Sequence, residues 1–181
     1  MAFWANLLGY QAVWFAAVIG AAHDASWVGV AAAALFVAAQ MAASHDRRSD
    51  RRLVLCALLA GILLDGTLAS FGVLHYASAD ALLPAPAWIL AVWAAFAMTM
   101  NHSLAFLRGR TDLAIVLGAI GGPLAYLGAA RGFAAVVFAA PTWRGVLLLA
   151  LGWAIVLPSL ALLAQRWHRP RRRIGLQGAL R

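Results

Sequence analysis

LVLCALLAGILLDGTLASFGVL, residues 53–74, decides the fold of this chain. Asp65 is the one charged residue in these 22 positions. A helix needs about 20 mostly apolar residues to cross a bilayer, so the stretch predicts a transmembrane helix. Arg51 and Arg52 stand directly before it. Basic residues at one end of an apolar run are typical of the cytoplasmic side of a spanning helix.

Five further apolar stretches share this character, and the whole chain is 65% hydrophobic and 11% charged. A soluble domain is about half apolar and about a quarter charged, so lipid has to cover much of this surface. We predict an all-α, polytopic six-helix transmembrane bundle that forms one domain over residues 1–165, with a basic tail over 166–181. The predicted helices cover residues 3–22, 26–44, 53–74, 86–107, 112–131 and 143–165. The link 132–142 is left open as a lid, a re-entrant turn or the end of helix five.

The basic residues orient the bundle. Fourteen residues are basic, and all of them are arginine. With six crossings, twelve of them fall on one side, while Arg131 and Arg144 fall on the other. The positive-inside rule then places both termini in the cytoplasm. Arginine without lysine, together with abundant alanine, is typical of a GC-rich bacterial genome, so we expect the bacterial inner membrane. Arginines at helix ends do not form the folded basic face that nucleic acid requires.

Residues 1–22 have a second interpretation, as a cleaved signal peptide with small residues at Gly20 to Ala22. The absence of a basic residue at the start, and Asn6 and Gln11 within the apolar core, favour a retained helix. The tryptophans agree with six crossings, because an indole is stable at the membrane interface. They would lie at the inner interface (Trp4, Trp167), at the outer interface (Trp27, Trp88, Trp143) and deeper (Trp14, Trp93, Trp153).

Helix five carries two small residues, Gly118 and Gly122, one turn apart. They lie on one face and predict a tight contact with a neighbouring helix, because packing drives helix association in lipid. Pro123 follows and frees a backbone carbonyl near mid-membrane. The freed carbonyl is either a by-product of a packing kink or a ligand for a bound group, and Pro158 in helix six has the same two readings.

Asp65 is the strongest candidate for chemistry. It lies near the bilayer midplane, where a charged aspartate costs about 2.5–3.5 kcal/mol on insertion scales. Gly61 lies one turn before it and Ala69 one turn after, so this face of the helix should meet protein. Asp65 is therefore either a functional acid or a structural, hydrogen-bonded one.

A second candidate is the polar run Thr99-Met100-Asn101-His102-Ser103 in helix four. His102 could exchange protons near neutral pH, or the run could only join helices by hydrogen bonds. We hypothesise that Asp65 and His102 are catalytic, although their depths differ by roughly 10 Å at 1.5 Å per residue. The side chains expected to line a polar cavity around them are Gln11, Gln40, Thr99, Asn101 and Tyr126. No metal-ligand spacing is present, and the sequence assigns no cofactor.

Several stretches together resemble a family of small bacterial inner-membrane proteins with no assigned function. They are Asn6 to Gly20, Asp65-Gly66, Pro86-Ala87-Trp88 leading to Asn101-His102-Ser103-Leu104, and Gly118 to Leu124 with Tyr126. Genes of that family often neighbour genes like those for cyclopropane-fatty-acid synthase and flavin amine oxidase. The resemblance implies a role in modifying or handling membrane acyl chains, with membrane lipids and a lipid-modifying enzyme as partners. It supplies no catalytic residues.

Three functions remain open at this stage. The first is lipid acyl modification or handling through an intramembrane polar cavity, with Asp65 as acid–base group or polar anchor. The second is a small proton- or cation-coupled transporter that uses Asp65 and the carbonyl freed by Pro123. The third is a structural subunit whose polar residues only join helices. The sequence distinguishes neither enzyme from non-enzyme nor monomer from oligomer.

Overall fold

The protein is described by a computed structural model over residues 2–78 and 83–168. Most of the basic tail predicted over 166–181 therefore lies outside the described residues. In chain order the elements are α1 (Ala2–Ala22), α2 (Ser26–Ala43), α3 (Arg47–Ser70), β1 (Leu74–Tyr76), α4 (Ala87–Ala97), a short 3-10 helix (Ala105–Leu107), α5 (Thr111–Phe133), β2 (Val136–Phe138) and α6 (Thr142–Trp167).

The helices form an apolar bundle with an apolar exterior. Within the described ranges, α1, α2, α3, α5 and α6 are each long and apolar enough to cross a membrane. Leu35, Leu63 and Ile155 are large side chains left exposed on their outer faces. Continuous apolar surface is unfavourable in water and favourable against lipid tails. The predicted all-α, multi-pass membrane fold is confirmed.

The prediction of one continuous helix over 86–107 is wrong. The α-helix ends at Ala97, and 11 residues rise only about 16 Å, roughly half the hydrocarbon thickness of a bilayer. The chain then turns: Met98 N–H donates to Ala95 O at 3.1 Å, and Thr99 Oγ1 donates to Phe96 O at 2.6 Å. Side chains of this type compete with helical backbone bonds. The polar run therefore ends the helix.

Small residues bring the helices together, as predicted for α5. A side chain at Gly118 or Gly122 would collide with Trp153 on α6. Gly61 on α3 is likewise covered by the ring of Trp93 on α4. Gly61 and Asp65 are both buried, so the predicted interior face of α3 is confirmed.

Two short strands were not predicted. β1 and β2 pair in antiparallel register, with Leu74 opposite Phe138 and Tyr76 opposite Val136. β1 begins where the predicted third helix was to continue, because α3 ends at Ser70 and Gly72 takes a left-handed conformation with φ +66°. β2 lies in the middle of the link 132–142, after α5, which continues to Phe133. The pair, here called the ribbon, joins the ends of α3 and α5 and turns Tyr76 back toward the bundle.

The bundle has two chemically different ends. At the ribbon end, Ser78 Oγ donates to Ala21 O in the last turn of α1 at 3.2 Å. The opposite end, here called the arginine end, holds the start of α3, the break after α4 and the end of α6. The guanidinium of Arg52 lies 5.5 Å from the ring centroid of Trp167 there.

Candidate functional site

Asp65 is completely buried and is held by aromatic side chains from three other elements. Its Oδ1 accepts hydrogen bonds from Tyr76 Oη on β1, at 2.7 Å, and from Tyr126 Oη on α5. Its Oδ2 accepts one from Trp93 Nε1 on α4, at 2.6 Å. Asp65 with these three donors is called the aromatic clamp.

The clamp supplies hydrogen bonds to a carboxyl group at a depth where an unpaired carboxyl would destabilise the fold. Burial, followed by the nearby Asp65, raises the pKa of the Tyr76 phenol, so Tyr76 keeps its proton and donates it to the hydrogen bond. Each donor belongs to a different element. The clamp therefore fixes α3, the ribbon, α4 and α5 to one another.

A large apolar cavity lies on the other side of two clamp residues. Its volume is about 500 Å³, within the range of small-molecule sites. Trp93 and Tyr126 form part of its wall, while Asp65 lies behind them. The wall comes from α1, α4, α5 and α6 with the turns next to them, and includes the aromatic residues Tyr10, Trp14, Trp93, Phe96, Tyr126 and Trp153.

The aromatic residues of the wall pack against one another. Trp93 and Trp153 stack with ring centroids 4.5 Å apart and planes 8° apart. Phe96 sets its edge against Trp153 at 5.2 Å and also contacts Tyr10 at 5.7 Å. Such pairs stabilise beyond their buried area. Gly118 and Gly122 allow α5 to pack directly against Trp153.

The cavity opens sideways. The lining residues that are themselves exposed are Gln11 on α1 and Leu117, Gly121 and Leu124 on α5. Exposed surface on these helices faces the lipid in a membrane-spanning bundle. The cavity therefore opens between α1 and α5 on the outer surface of the bundle.

A second buried acid, Asp50, lies at the arginine end. Its Oδ1 accepts a hydrogen bond from Asn101 Nδ2 at 2.7 Å, and its Oδ2 accepts one from Ser44 Oγ. His102 Nε2 lies 3.7 Å from Oδ2, and the His102 side chain is 23% exposed. Asn101 also donates to Ser49 Oγ at 3.1 Å. Asp50 with these four residues is called the polar cluster.

The structure does not bring Asp65 and His102 together, so the shared polar cavity expected around them is replaced by two separate groups. Asp65 belongs to the aromatic clamp, and His102 and Asn101 belong to the polar cluster. Thr99 is bonded to its own helix end and does not line the cavity. The physical reason is the break after Ala97, which keeps the polar run at the arginine end.

The remaining predicted residues are dispersed. Gln11 and Tyr126 line the apolar cavity, whereas Gln40 lies half-buried on α2. Asn6 is buried: its amide donates to Met98 O at 3.2 Å, and its Oδ1 accepts from Ser103 Oγ at 2.6 Å. Catalytic or binding roles for these residues stay predictions. Over residues 2–78 and 83–168, no three His, Cys, Asp or Glu side chains come together as metal ligands would.

Sequence reasoning missed Asp50 and the aromatic wall. Asp50 stands among four arginines and was placed in a loop before the third helix, but α3 begins at Arg47 and includes it. Trp93 and Trp153 were predicted only to lie deep in the membrane. The i, i+3 spacing of Trp93 and Phe96 was the available signal for an aromatic wall.

Together these features define a class: a small multi-pass membrane protein with an apolar cavity that opens on the side of its helix bundle. The family described as Protein of unknown function (DUF2878) matches residues 3–159, and the chain belongs to that family. The expected membership of a family of unknown function is thus confirmed. No curated protein and no solved structure matches the chain.

Proposed function

We propose that this protein binds the hydrocarbon chain of a membrane lipid in the lateral cavity, as part of lipid acyl handling or modification. The observation that carries the proposal is the cavity of about 500 Å³ with its aromatic wall and its exposed lining on α1 and α5. Apolar and aromatic linings with few polar groups are typical of sites that bury most of a hydrophobic ligand. Gene neighbourhood in the resembled family supports the same substrate class.

In this proposal Asp65 is a polar anchor. All the donors that face it come from the clamp, and it does not line the cavity. Its task is to hold Trp93 and Tyr126 in the wall. Preorganised walls of this kind lower the entropy cost of binding a flexible ligand. The polar cluster, at the arginine end, would then meet the headgroup region.

The protein is proposed to lie in the bacterial inner membrane with its arginine end in the cytoplasm. Arg47, Arg48, Arg108 and Arg110 lie at that end, along with other arginines, and basic residues are retained on the cytoplasmic side. A lipid-modifying enzyme that works at the cytoplasmic face is the partner this orientation suits.

The test is to close the cavity mouth. Gly121 lines the cavity, and a Cβ at this position would have open space around it within 4 Å. Gly121→Phe should therefore fold, cover the entrance and remove most of the lipid that co-purifies with the protein, as counted by native mass spectrometry from nanodiscs. Gly132→Phe is the matched control, because Gly132 is on the same helix, is equally unobstructed and lies away from the cavity.

The two variants should also differ in cells. In a deletion strain, wild-type protein and Gly132→Phe should restore the acyl profile measured by lipidomics in stationary phase, and Gly121→Phe should not. Equal lipid occupancy in the two purified variants would contradict the proposal, as would an acyl profile that the deletion leaves unchanged.

Transport and a purely structural role are less well supported. Transport coupled to Asp65 would need this carboxyl to meet a path for ions, and the described residues surround it with the clamp. A structural subunit would need no cavity of this size. Proton or cation flux in proteoliposomes that is lost in Asp65→Asn would favour the transporter instead.

A further inference from the structure

We propose that the ligand of the cavity carries a hydrogen-bond-accepting oxygen about halfway across the membrane, and that the Trp153 indole N–H binds it. This inference rests on the proposed function and narrows its substrate class. It starts from a difference between three buried tryptophans along the cavity wall. Trp88 Nε1 donates to Ala77 O at 3.0 Å, and Trp93 Nε1 donates to Asp65 at 2.6 Å. Trp153 Nε1 is buried and has no partner in the described part of the chain.

An indole N–H without an acceptor is costly at this position. Trp153 is 9% exposed, so little surface remains from which water could reach it. A buried donor left unpaired costs about 1–3 kcal/mol in proteins, and lipid tails offer no acceptor. Most buried polar groups in native structures are paired for this reason. A ligand that supplies the missing acceptor would explain the unpaired N–H.

The Trp153 ring has little freedom to find another partner. It is stacked on Trp93, and Phe96 blocks one side with its edge. The Cδ1 edge of the indole, which is next to Nε1, faces Gly122 on the α5 wall of the cavity. The ring packs so closely on Gly122 that a Cβ there would collide with it. The donor is therefore held at the cavity wall in one orientation.

The depth of Trp153 limits what can supply the oxygen. It lies eleven residues after the start of α6 at Thr142 and fourteen before the end at Trp167. At 1.5 Å per residue it is close to the middle of the helix, far from both interfaces. Ester oxygens of an ordinary phospholipid stay near the interface. The matching chemistry is a mostly hydrocarbon molecule with an oxygen far from its headgroup, either an acyl chain oxygenated in mid-chain or a quinone ring.

The experiment compares three probes in nanodiscs by competitive native mass spectrometry: stearate, 10-hydroxystearate and decylbenzoquinone. Wild-type protein should prefer at least one oxygenated probe over stearate by about threefold to tenfold, the range of one net hydrogen bond. Trp153→Phe keeps an aromatic ring and removes the donor, so it should bind all three with nearly equal affinity. Trp143→Phe, the same change at an exposed position of α6 that does not line the cavity, should keep the wild-type preference.

The outcomes separate this inference from the proposed function. Preference for the hydroxy acid alone or for the quinone alone supports the inference and identifies the source of the oxygen. Stearate binding without any preference, or a preference that Trp153→Phe keeps, overturns the inference and leaves the lipid site standing. Failure of every probe to bind overturns both.

Discussion

Asp65 and Asp50 are the same residue type on the same helix, and both are buried, yet they have opposite surroundings. They are fifteen residues apart on α3, about 22 Å along its axis. Asp65 accepts bonds from three aromatic side chains that come from three other elements. Asp50 has a serine, an amide and a partly exposed histidine as neighbours.

The difference shows that burial of a carboxylate does not by itself define a reactive site. An indole N–H can only donate, and a phenol buried on a strand or helix has few other orientations, so the clamp is fixed. Amide, hydroxyl and imidazole groups near the surface can exchange their partners with water. We therefore expect the clamp to carry stability and cavity shape, and the polar cluster to carry adjustable contacts.

The largest effect should come from Asp65→Leu. The substitution leaves three buried donors without an acceptor, at about 1–3 kcal/mol for each group in a non-additive sum. We expect at least about 3 kcal/mol of destabilisation and a large loss of monodisperse protein in thermal unfolding and gel filtration in detergent. The stability of Asp65→Asn, which keeps one acceptor oxygen, should lie between that of wild type and that of Asp65→Leu. A Leu variant as stable as wild type would mean that the clamp does not hold the bundle.

Asp50→Ala should have a smaller and more local effect, about 1–2 kcal/mol, because water near the arginine end can replace part of what Asn101 and Ser44 lose. Hydrogen exchange should rise over residues 98–107, where Asn101 connects the break after α4 to α3. Exchange at the ribbon should stay as in wild type. A rise over the ribbon as well would show that the two acids belong to one cooperative unit.

Tyr126→Phe tests the clamp from its other side. Removing this phenol leaves Asp65 with Tyr76 and Trp93, at a cost of about 1 kcal/mol. In the Asp65→Leu background the same change should be neutral or stabilising, because it deletes an orphaned donor. Thermal unfolding of the four proteins in the cycle measures the coupling. Equal effects in both backgrounds would contradict a hydrogen bond between the two residues.

His102→Ala should have the smallest effect, below about 0.5 kcal/mol, because the side chain is partly exposed and its 3.7 Å contact with Asp50 is long. The cavity should keep its lipid, as judged by native mass spectrometry. Loss of the in-vivo acyl profile without loss of stability or of bound lipid would instead assign His102 a chemical role, as the sequence suggested.

Features with a short sequence period could be predicted, and those that depend on distant pairing could not. Gly61 and Asp65, one turn apart, correctly indicated an interior face, and Gly118 with Gly122 correctly indicated close packing. The ribbon could not be predicted, since each strand has three residues and the partners are about 60 positions apart. The three donors to Asp65 lie on β1, α4 and α5, and a local sequence pattern does not predict how these elements are arranged around α3.

Misreadings in the candidate site also have physical causes. Charges near Asp50 resembled a solvated loop, but Asp46 caps α3 by accepting a hydrogen bond from Ser49 N–H, so the helix starts early and buries Asp50. The run from Thr99 to Ser103 was recognised as polar and interpreted as a helix face. Its hydroxyls and amides instead bond to nearby backbone and to neighbouring helices, which lets the helix end there.

The clamp also has a consequence for how the chain is synthesised. Residues emerge from the ribosome in order, so Asp65 enters the membrane before Tyr76, Trp93 and Tyr126 do. Its carboxyl can accept the first hydrogen bond only after β1 has followed, the second after α4 and the third after α5. Newly inserted α3 is thus a helix with an unpaired polar group. Its packing can be fixed only after more than two thirds of the polypeptide, through Tyr126, has been made.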